Sequence, residues 1–184
     1  MEKISEYFED LDNQIILLDK NKISTIIKVI EKAIKDEKKI FIIGNGGSAA
    51  LSSHLACDIT NGAYRSNKII KILSLNDNVP IITALANDIG YNNIFAYQLV
   101  NLMDEGDILI AISGSGKSEN ILKAVKFAKN NGAKVISLTG FSGGKLKKVS
   151  DYNINIDSKH YGVIEDLHSI ICHIIAFRIG KHDE

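Results

Sequence analysis

Residues 39–48 read Lys-Ile-Phe-Ile-Ile-Gly-Asn-Gly-Gly-Ser, and residues 107–118 read Asp-Ile-Leu-Ile-Ala-Ile-Ser-Gly-Ser-Gly-Lys-Ser. In each, an apolar run passes straight into a loop of glycine and serine, and amphipathic sequence follows. A run that is apolar throughout, rather than alternating, is the pattern of a strand buried on both faces. Residues 69–75, 134–138 and 152–156 complete a set of five, and amphipathic stretches of about a dozen residues separate most of them. The expectation is an α/β fold: a five-stranded parallel sheet in a three-layer sandwich with right-handed crossovers. Ligands of such sheets bind beyond the carboxyl ends of the strands, which is where these glycines fall.

Outside this core the chain reads as helix. Leu11, Ile15 and Leu18, then Ile23, Ile26, Ile27, Ile30 and Ile34, recur near a 3.6-residue period. That is more apolar face than a small α/β core needs, so the N-terminal helices are expected to serve in oligomerisation as well. Residues 162–179 read as a final helix. The 184 residues hold no repeat, linker or low-complexity segment and are expected to form one domain, with residues 1–36 as its helical segment and 37–184 as its sandwich.

Lys and Arg number 22 and Asp and Glu number 22, so no net field favours nucleic acid or an anionic membrane. No apolar run approaches the roughly 18 residues that span a bilayer. Cys57 and Cys172 have neither the number of a disulfide framework nor the spacing of a zinc finger. The expected compartment is the cytoplasm, with no nucleic-acid or membrane partner.

The two loops carry the chemistry. Glycine lets backbone approach an anion, serine hydroxyls donate hydrogen bonds, and the start of a helix offers unpaired N–H groups with positive potential. Two serine-bearing loops at strand ends point to a phosphorylated ligand. A third turn, from Gly140 to Gly144, follows the strand at 134–138 and reads either as a tight turn or as a further phosphate contact. Gly44-x-Gly46-x-x-Ala49 fits the loose dinucleotide fingerprint, but Asp77 falls too late to meet a ribose. The segment from Ala111 to Ser118 misses the nucleotide P-loop because alanine stands where its first glycine belongs. No nucleotide cofactor is expected.

In this order and separation the two loops resemble the sugar isomerase (SIS) domain family, and within it the phosphoheptose isomerases. The matching pieces are Gly44-Asn-Gly-Gly-Ser48 with His54 and Asp58 beyond it, and Ala86-Asn-Asp-x-Gly-Tyr91 with Phe95. Ile112-Ser-x-Ser-Gly-x-Ser118, Leu138-Thr-Gly140 with Gly143-Gly-Lys145, and the stretch from Tyr161 to His173 complete the set. The resemblance covers nearly the whole chain. It implies a homotetramer that interconverts sedoheptulose 7-phosphate and D-glycero-D-manno-heptose 7-phosphate through an enediol, supplying heptose for lipopolysaccharide or capsule. It implies substrate and phosphate contacts from Asn45, Gly46, Gly47, Ser48, Asn87, Asp88, Ser113, Gly114, Ser115 and Ser118. A divalent metal, zinc in most of the family, would sit on His54, Asp58, Glu165 and His173. Asp58 or Glu165 would be the base and His173 the partner acid.

The residues support part of this directly. His54 and Asp58 are i,i+4 and share a helix face, where they can ligate a cation or move a proton. Glu165 and His173 are eight residues apart, about 12 Å along an ideal helix, too far to meet one ion without help from geometry or a second subunit. His168 competes with His173, being i,i+3 to Glu165. The sequence departs from the family pattern in having aspartate for glutamate at Asp58 and glutamate for glutamine at Glu165. Arg65 is the nearest candidate for an arginine the family places earlier, and Lys117 adds charge to the serine loop. These departures imply either a relocated base or a relative acting on another heptose or pentulose phosphate. The competing reading is a non-catalytic SIS-domain protein, a sugar-phosphate sensor or an assembly protein.

Overall fold

In the computed structural model, which describes residues 2–180, five strands form: β1 (Lys39–Gly44), β2 (Lys71–Ser74), β3 (Ile108–Ser113), β4 (Lys134–Gly140) and β5 (Tyr152–Ile156). All pairings are parallel and the order is β2-β1-β3-β4-β5, with Ile40 opposite Ile108 and Ile108 opposite Lys134. Successive side chains of a strand point to opposite faces, and here both faces are covered. Ile40 and Ile42 join one apolar cluster with Ile110, Ile136 and Leu138, packed under α2 (Lys20–Lys35), α3 (Gly47–Arg65) and α8 (Tyr161–Ile179). Phe41 and Ile43 join the other with Leu109, Ala111 and Val135, packed under α5 (Ile94–Leu102), α6 (Glu119–Asn130) and α7 (Gly144–Val149). The uninterrupted apolar runs of β1 and β3 are the direct result: neither face can be polar.

The edges obey a different rule. The apolar run at 69–75 becomes a strand only over Lys71–Ser74, because β2 pairs with β1 alone. Ile69, apolar in sequence, lies before the strand and is 87% exposed.

The N-terminal helices form as expected. Two residues past α1 (Glu2–Leu17), Asp19 caps the start of α2, its carboxylate accepting from the N–H groups of Asn21 and Lys22 at 3.0 Å each. The inner face of α2 (Ile23, Ile26, Ile27, Ile30) is buried, whereas α1 leaves Ile4, Phe8, Ile16 and Leu17 exposed. Helix α4 (Val79–Ile89) has no buried residue, although Ile82, Leu85 and Ala86 lean on the second cluster.

The strand order reverses between β1 and β3. From β1 the chain leads to β2 on one side, and from β3 to β4 on the other. Loops leaving two adjacent strands in opposite directions open a crevice at their carboxyl ends. Both glycine loops lie there.

Candidate functional site

The first loop leaves β1 at Gly44, whose N–H donates to Asn76 Oδ1 (3.1 Å) and whose carbonyl accepts from Asn76 Nδ2 (2.8 Å). Helix α3 opens two residues earlier than its apolar pattern suggests, at Gly47. The Ser48 hydroxyl has no hydrogen-bond partner among the described residues. The second loop folds back on itself: the Gly116 N–H donates to the Ser113 carbonyl at 3.0 Å, and the Lys117 N–H donates to Ser115 Oγ at 3.3 Å. Ser118 is the N-cap of α6 but its hydroxyl makes no capping bond, and the Ser113 hydroxyl at the end of β3 is likewise uncommitted among the described residues. The N–H groups that open α6 lie beside them, without intrahelical acceptors. Hydroxyls and amide donors gathered at a helix start are what a phosphate requires.

The third turn braces this loop. Gly140 N–H donates to the Gly114 carbonyl (2.8 Å) and Leu146 N–H to the Gly116 carbonyl (3.0 Å). Gly116 has φ +61°, and any Cβ there would strike the Gly143 carbonyl oxygen. Gly144 of this turn thus serves the close approach of two backbones, whereas Gly140 leaves room for the Ile164 side chain.

Packing of α8 across α3 assembles the reactive groups. The two helices touch at glycine, where a Cβ on Gly62 would lie 2.8 Å from Gly180 Cα. His54 and Asp58, one turn apart on α3, then face His173 on α8. His54 Nε2 is 3.1 Å from His173 Nε2 and 3.2 Å from Asp58 Oδ2, and His173 Nε2 is 3.9 Å from the same carboxylate oxygen. The ligand atoms of all three lie within 4.8 Å of one another. Two imidazole nitrogens and a carboxylate converging from half-exposed side chains fit a divalent cation such as zinc. Three protein ligands with one side open is the arrangement of a catalytic rather than a structural zinc site.

Glu165 does not join them. It sits two turns before His173, and a Cβ on Gly47 would be 3.0 Å from each of its carboxylate oxygens. The structure therefore brings together three of the four expected ligands and sets the fourth acid against the first glycine loop. The eight-residue spacing on a regular helix dictates that separation. Gly47, Ser48, His54, Glu165 and His173 nevertheless line one cleft of about 490 Å³.

His168 is no rival for the cation. It is 0% exposed and its Nε2 lies 3.1 Å from the Thr139 carbonyl oxygen. A carbonyl can only accept, so Nε2 carries the proton. Nδ1 is buried without a partner among the described residues, and burial pushes the imidazole pKa down to about 4 against the opposing pull of the Thr139 bond. Burial, with Asp58 adding to it, likewise pushes the Cys172 thiol up to about 12, leaving it a core side chain, while Cys57 is exposed. At the mouth of the cleft, Tyr7 of α1 donates to Asp166 Oδ2 at 2.6 Å, and this bond chiefly raises the phenol to about 12.

Asn87 and Asp88 stand exposed at the end of α4, Asn87 Nδ2 donating to Asp88 Oδ1 at 2.9 Å, and no hydrogen bond joins either to the two loops. Asn45 is largely committed to protein partners. Its Oδ1 accepts from Tyr91 OH (2.9 Å) and Asn120 Nδ2 (2.8 Å), and its Nδ2 donates to Asn120 Oδ1 (2.9 Å), leaving one N–H for a ligand. Asn120 and Asn76, whose amides hold the first loop, are positions that the sequence reading missed. Only the place of Asn120 directly behind the serine loop hinted at it.

Residues 5–140 match the SIS domain family. A probable phosphoheptose isomerase of Thermoplasma acidophilum is 36% identical over 176 residues, 96% of this chain and 97% of that protein. A phosphoheptose isomerase of Aneurinibacillus thermoaerophilus is 39% identical over 164 residues, 88% of this chain and 83% of its own length. Among solved structures, a phosphoheptose isomerase from Francisella tularensis superposes with a TM-score of 0.89 at 32% identity, covering 97% of this chain and 96% of that one. One from Neisseria gonorrhoeae gives 0.88 at 28% identity, covering 97% and 95%.

Proposed function

The chain belongs to the SIS domain family, and from that premise we propose that it is a phosphoheptose isomerase acting on sedoheptulose 7-phosphate. The observation that carries the reading is the cleft beside the first glycine loop, which a separate carboxylate, Glu165, lines together with His54 and His173 of the His54–Asp58–His173 trio.

Ser113, Ser115, Ser118 and the first N–H groups of α6 hold the phosphate. Gly46, Gly47 and Ser48 flank the sugar, and Asn45 offers it the one N–H its partners leave. Isomerisation moves a proton between C1 and C2, and both sites lie on one edge of an enediol, so one base suffices. Glu165 is that base: it lines the cleft beside Gly47 and is free of the trio. His54, Asp58 and His173 would hold a zinc ion, which supplies Lewis-acid polarisation of the substrate carbonyl. A ring nitrogen that ligates a cation cannot also carry a proton, so His173 serves as a partner acid only where no metal is bound.

We read the chain as a single domain that works as a homotetramer in the cytoplasm, within heptose synthesis for lipopolysaccharide or capsule. The exposed apolar residues of α1 and the absence of any buried residue on α4 support packing between copies. No helix among the described residues is long and apolar enough to cross a membrane.

Incubation with sedoheptulose 7-phosphate, with and without zinc, followed by NMR, tests the assignment. Appearance of the aldose C1 proton is the expected result. Thermal stabilisation by the sugar phosphate without turnover would instead make the protein a sensor.

A further inference from the structure

Asn45 and Asn120 are 75 residues apart in sequence, yet their amides pair reciprocally, each donating to the other's oxygen at 2.9 and 2.8 Å. Asn45 belongs to the sugar loop after β1. Asn120 is the second residue of α6, directly behind the serine loop after β3, and is only 2% exposed. The remaining acceptor capacity of the pair is used by backbone and by a third segment. Asn120 Oδ1 also accepts the Ile121 N–H at 3.0 Å, and Asn45 Oδ1 also accepts from Tyr91 OH at 2.9 Å. Tyr91 follows Gly90, the residue that ends α4. Three segments are thus tied at a single amide, and Lys123 Nζ of α6 adds a second tie to the last of them by donating to Asn93 Oδ1 at 3.0 Å.

That geometry constrains more than stability. A substrate held by its phosphate at the serine loop presents its other end to the first loop, so the spacing of the loops measures the chain between them. A flexible pair of loops would accept several lengths. The two-bond amide link resists stretching, because parting the amides leaves the Nδ2 donor of the buried Asn120 unpaired. Orientation of Asn45 is fixed by the same bonds, which aim its one remaining N–H.

Resting on the isomerase reading above, we infer that Asn120 and Tyr91 are positioning residues that lock Asn45 and set the distance between the phosphate loop and the sugar loop, and thereby select substrates by carbon number. Neither needs to touch the sugar. Asn120 acts through Asn45 and the start of α6, and Tyr91 through Asn45 alone.

The test uses the full chain, Asn120→Ala and Tyr91→Phe, with inorganic phosphate and ketose phosphates of five, six and seven carbons as probes. Binding is measured by calorimetry and turnover by NMR. Phosphate touches only the serine loop, so its Kd is expected to stay within about twofold in both variants. Asn120→Ala is expected to lower kcat for the best ketose phosphate by about 10²-fold, the scale of a misplacement near 1 Å, and to flatten the preference among chain lengths by about tenfold. Tyr91→Phe, which removes one exposed hydroxyl and is safe for folding, shifts the same preference in the same direction by less. The proposal is overturned if either variant folds and leaves the length preference unchanged, or if phosphate and sugar phosphates weaken in parallel. A wild-type chain that binds the ketose phosphates but converts none removes the isomerase reading alone, since length discrimination in Kd still decides the role of Asn120. A wild-type chain that binds none of them overturns both.

Discussion

His168 offers a pH-dependent signal that the geometry sets in advance. The imidazole is fully buried, donates from Nε2 to Thr139, and has its pKa pushed from 6.5 down to about 4. In the unfolded chain it would titrate at its ordinary value. A depressed folded pKa means the native state favours the neutral ring, so stability is undiminished above pH 6.5 and falls as pH drops from 6.5 through 4. In that window the unfolded chain binds the extra proton, at about 1.4 kcal/mol per pH unit. Across the whole window the loss is on the order of 3 kcal/mol, a large fraction of a typical domain's stability.

Urea unfolding at fixed protein concentration between pH 7 and 4, analysed by linear extrapolation, reads this directly. Other groups titrate too; the carboxyls of Asp36 and Asp104, held low by hydrogen bonds from Lys32 and Lys39, lose their contribution at the acid end. His168→Gln isolates the term. The amide can still donate to the Thr139 carbonyl, but it does not titrate. The gap in unfolding free energy between wild type and variant should move by about 3 kcal/mol in the variant's favour between pH 7 and 4. Parallel curves would refute the argument, because they would mean that His168 is solvated or finds an acceptor for its second proton in the native state.

The remaining predictions concern the cleft. Wild-type chain is expected to retain zinc near one equivalent after dialysis, and Asp58→Ala or His173→Ala to lose it together with about 10²-fold in turnover; elemental analysis showing zinc unchanged would remove the trio as its holder. Glu165→Gln should leave zinc content intact while lowering kcat by about 10²-fold or more, which separates a base from a ligand. Ser113→Ala and Ser118→Ala should each weaken inorganic phosphate by about tenfold in calorimetry, the scale of one hydrogen bond to a charged group.

The fold was legible where the sheet is buried on both sides. Residues 40–43 and 107–112 could be read without alternation because α2, α3 and α8 cover one face and α5, α6 and α7 the other. Legibility failed at the edge strand. Ile69 and Ile70 look like the start of β2, but only one neighbour pairs with that strand, and apolar character there does not report burial. Nor could a sequence tell what the third glycine turn is for, since Gly144 answers to a backbone that arrives from residues 115–116 and Gly140 to the side chain of Ile164.

In the site, local geometry was readable and convergence was not. His54 and Asp58 share a face because i and i+4 always do. That His173 meets them depends on α8 crossing α3 at Gly62 and Gly180, two glycines with nothing in the sequence to mark them as a contact. The competition between His168 and His173, however, was decidable in advance. Ile164, His168, Ile171, Ile175 and Ile179 follow one another at three or four residues and form the buried stripe of α8. Glu165, Ser169 and His173 follow one another at four and form the neighbouring stripe, exposed or half-buried where His168 is buried. A histidine in a run of isoleucines at helical spacing is a core residue with one backbone bond. A histidine in phase with a glutamate and a serine belongs to the face that meets solvent and ligand. Phase along the helix, more than proximity in sequence to Glu165, assigns the two rings to different work.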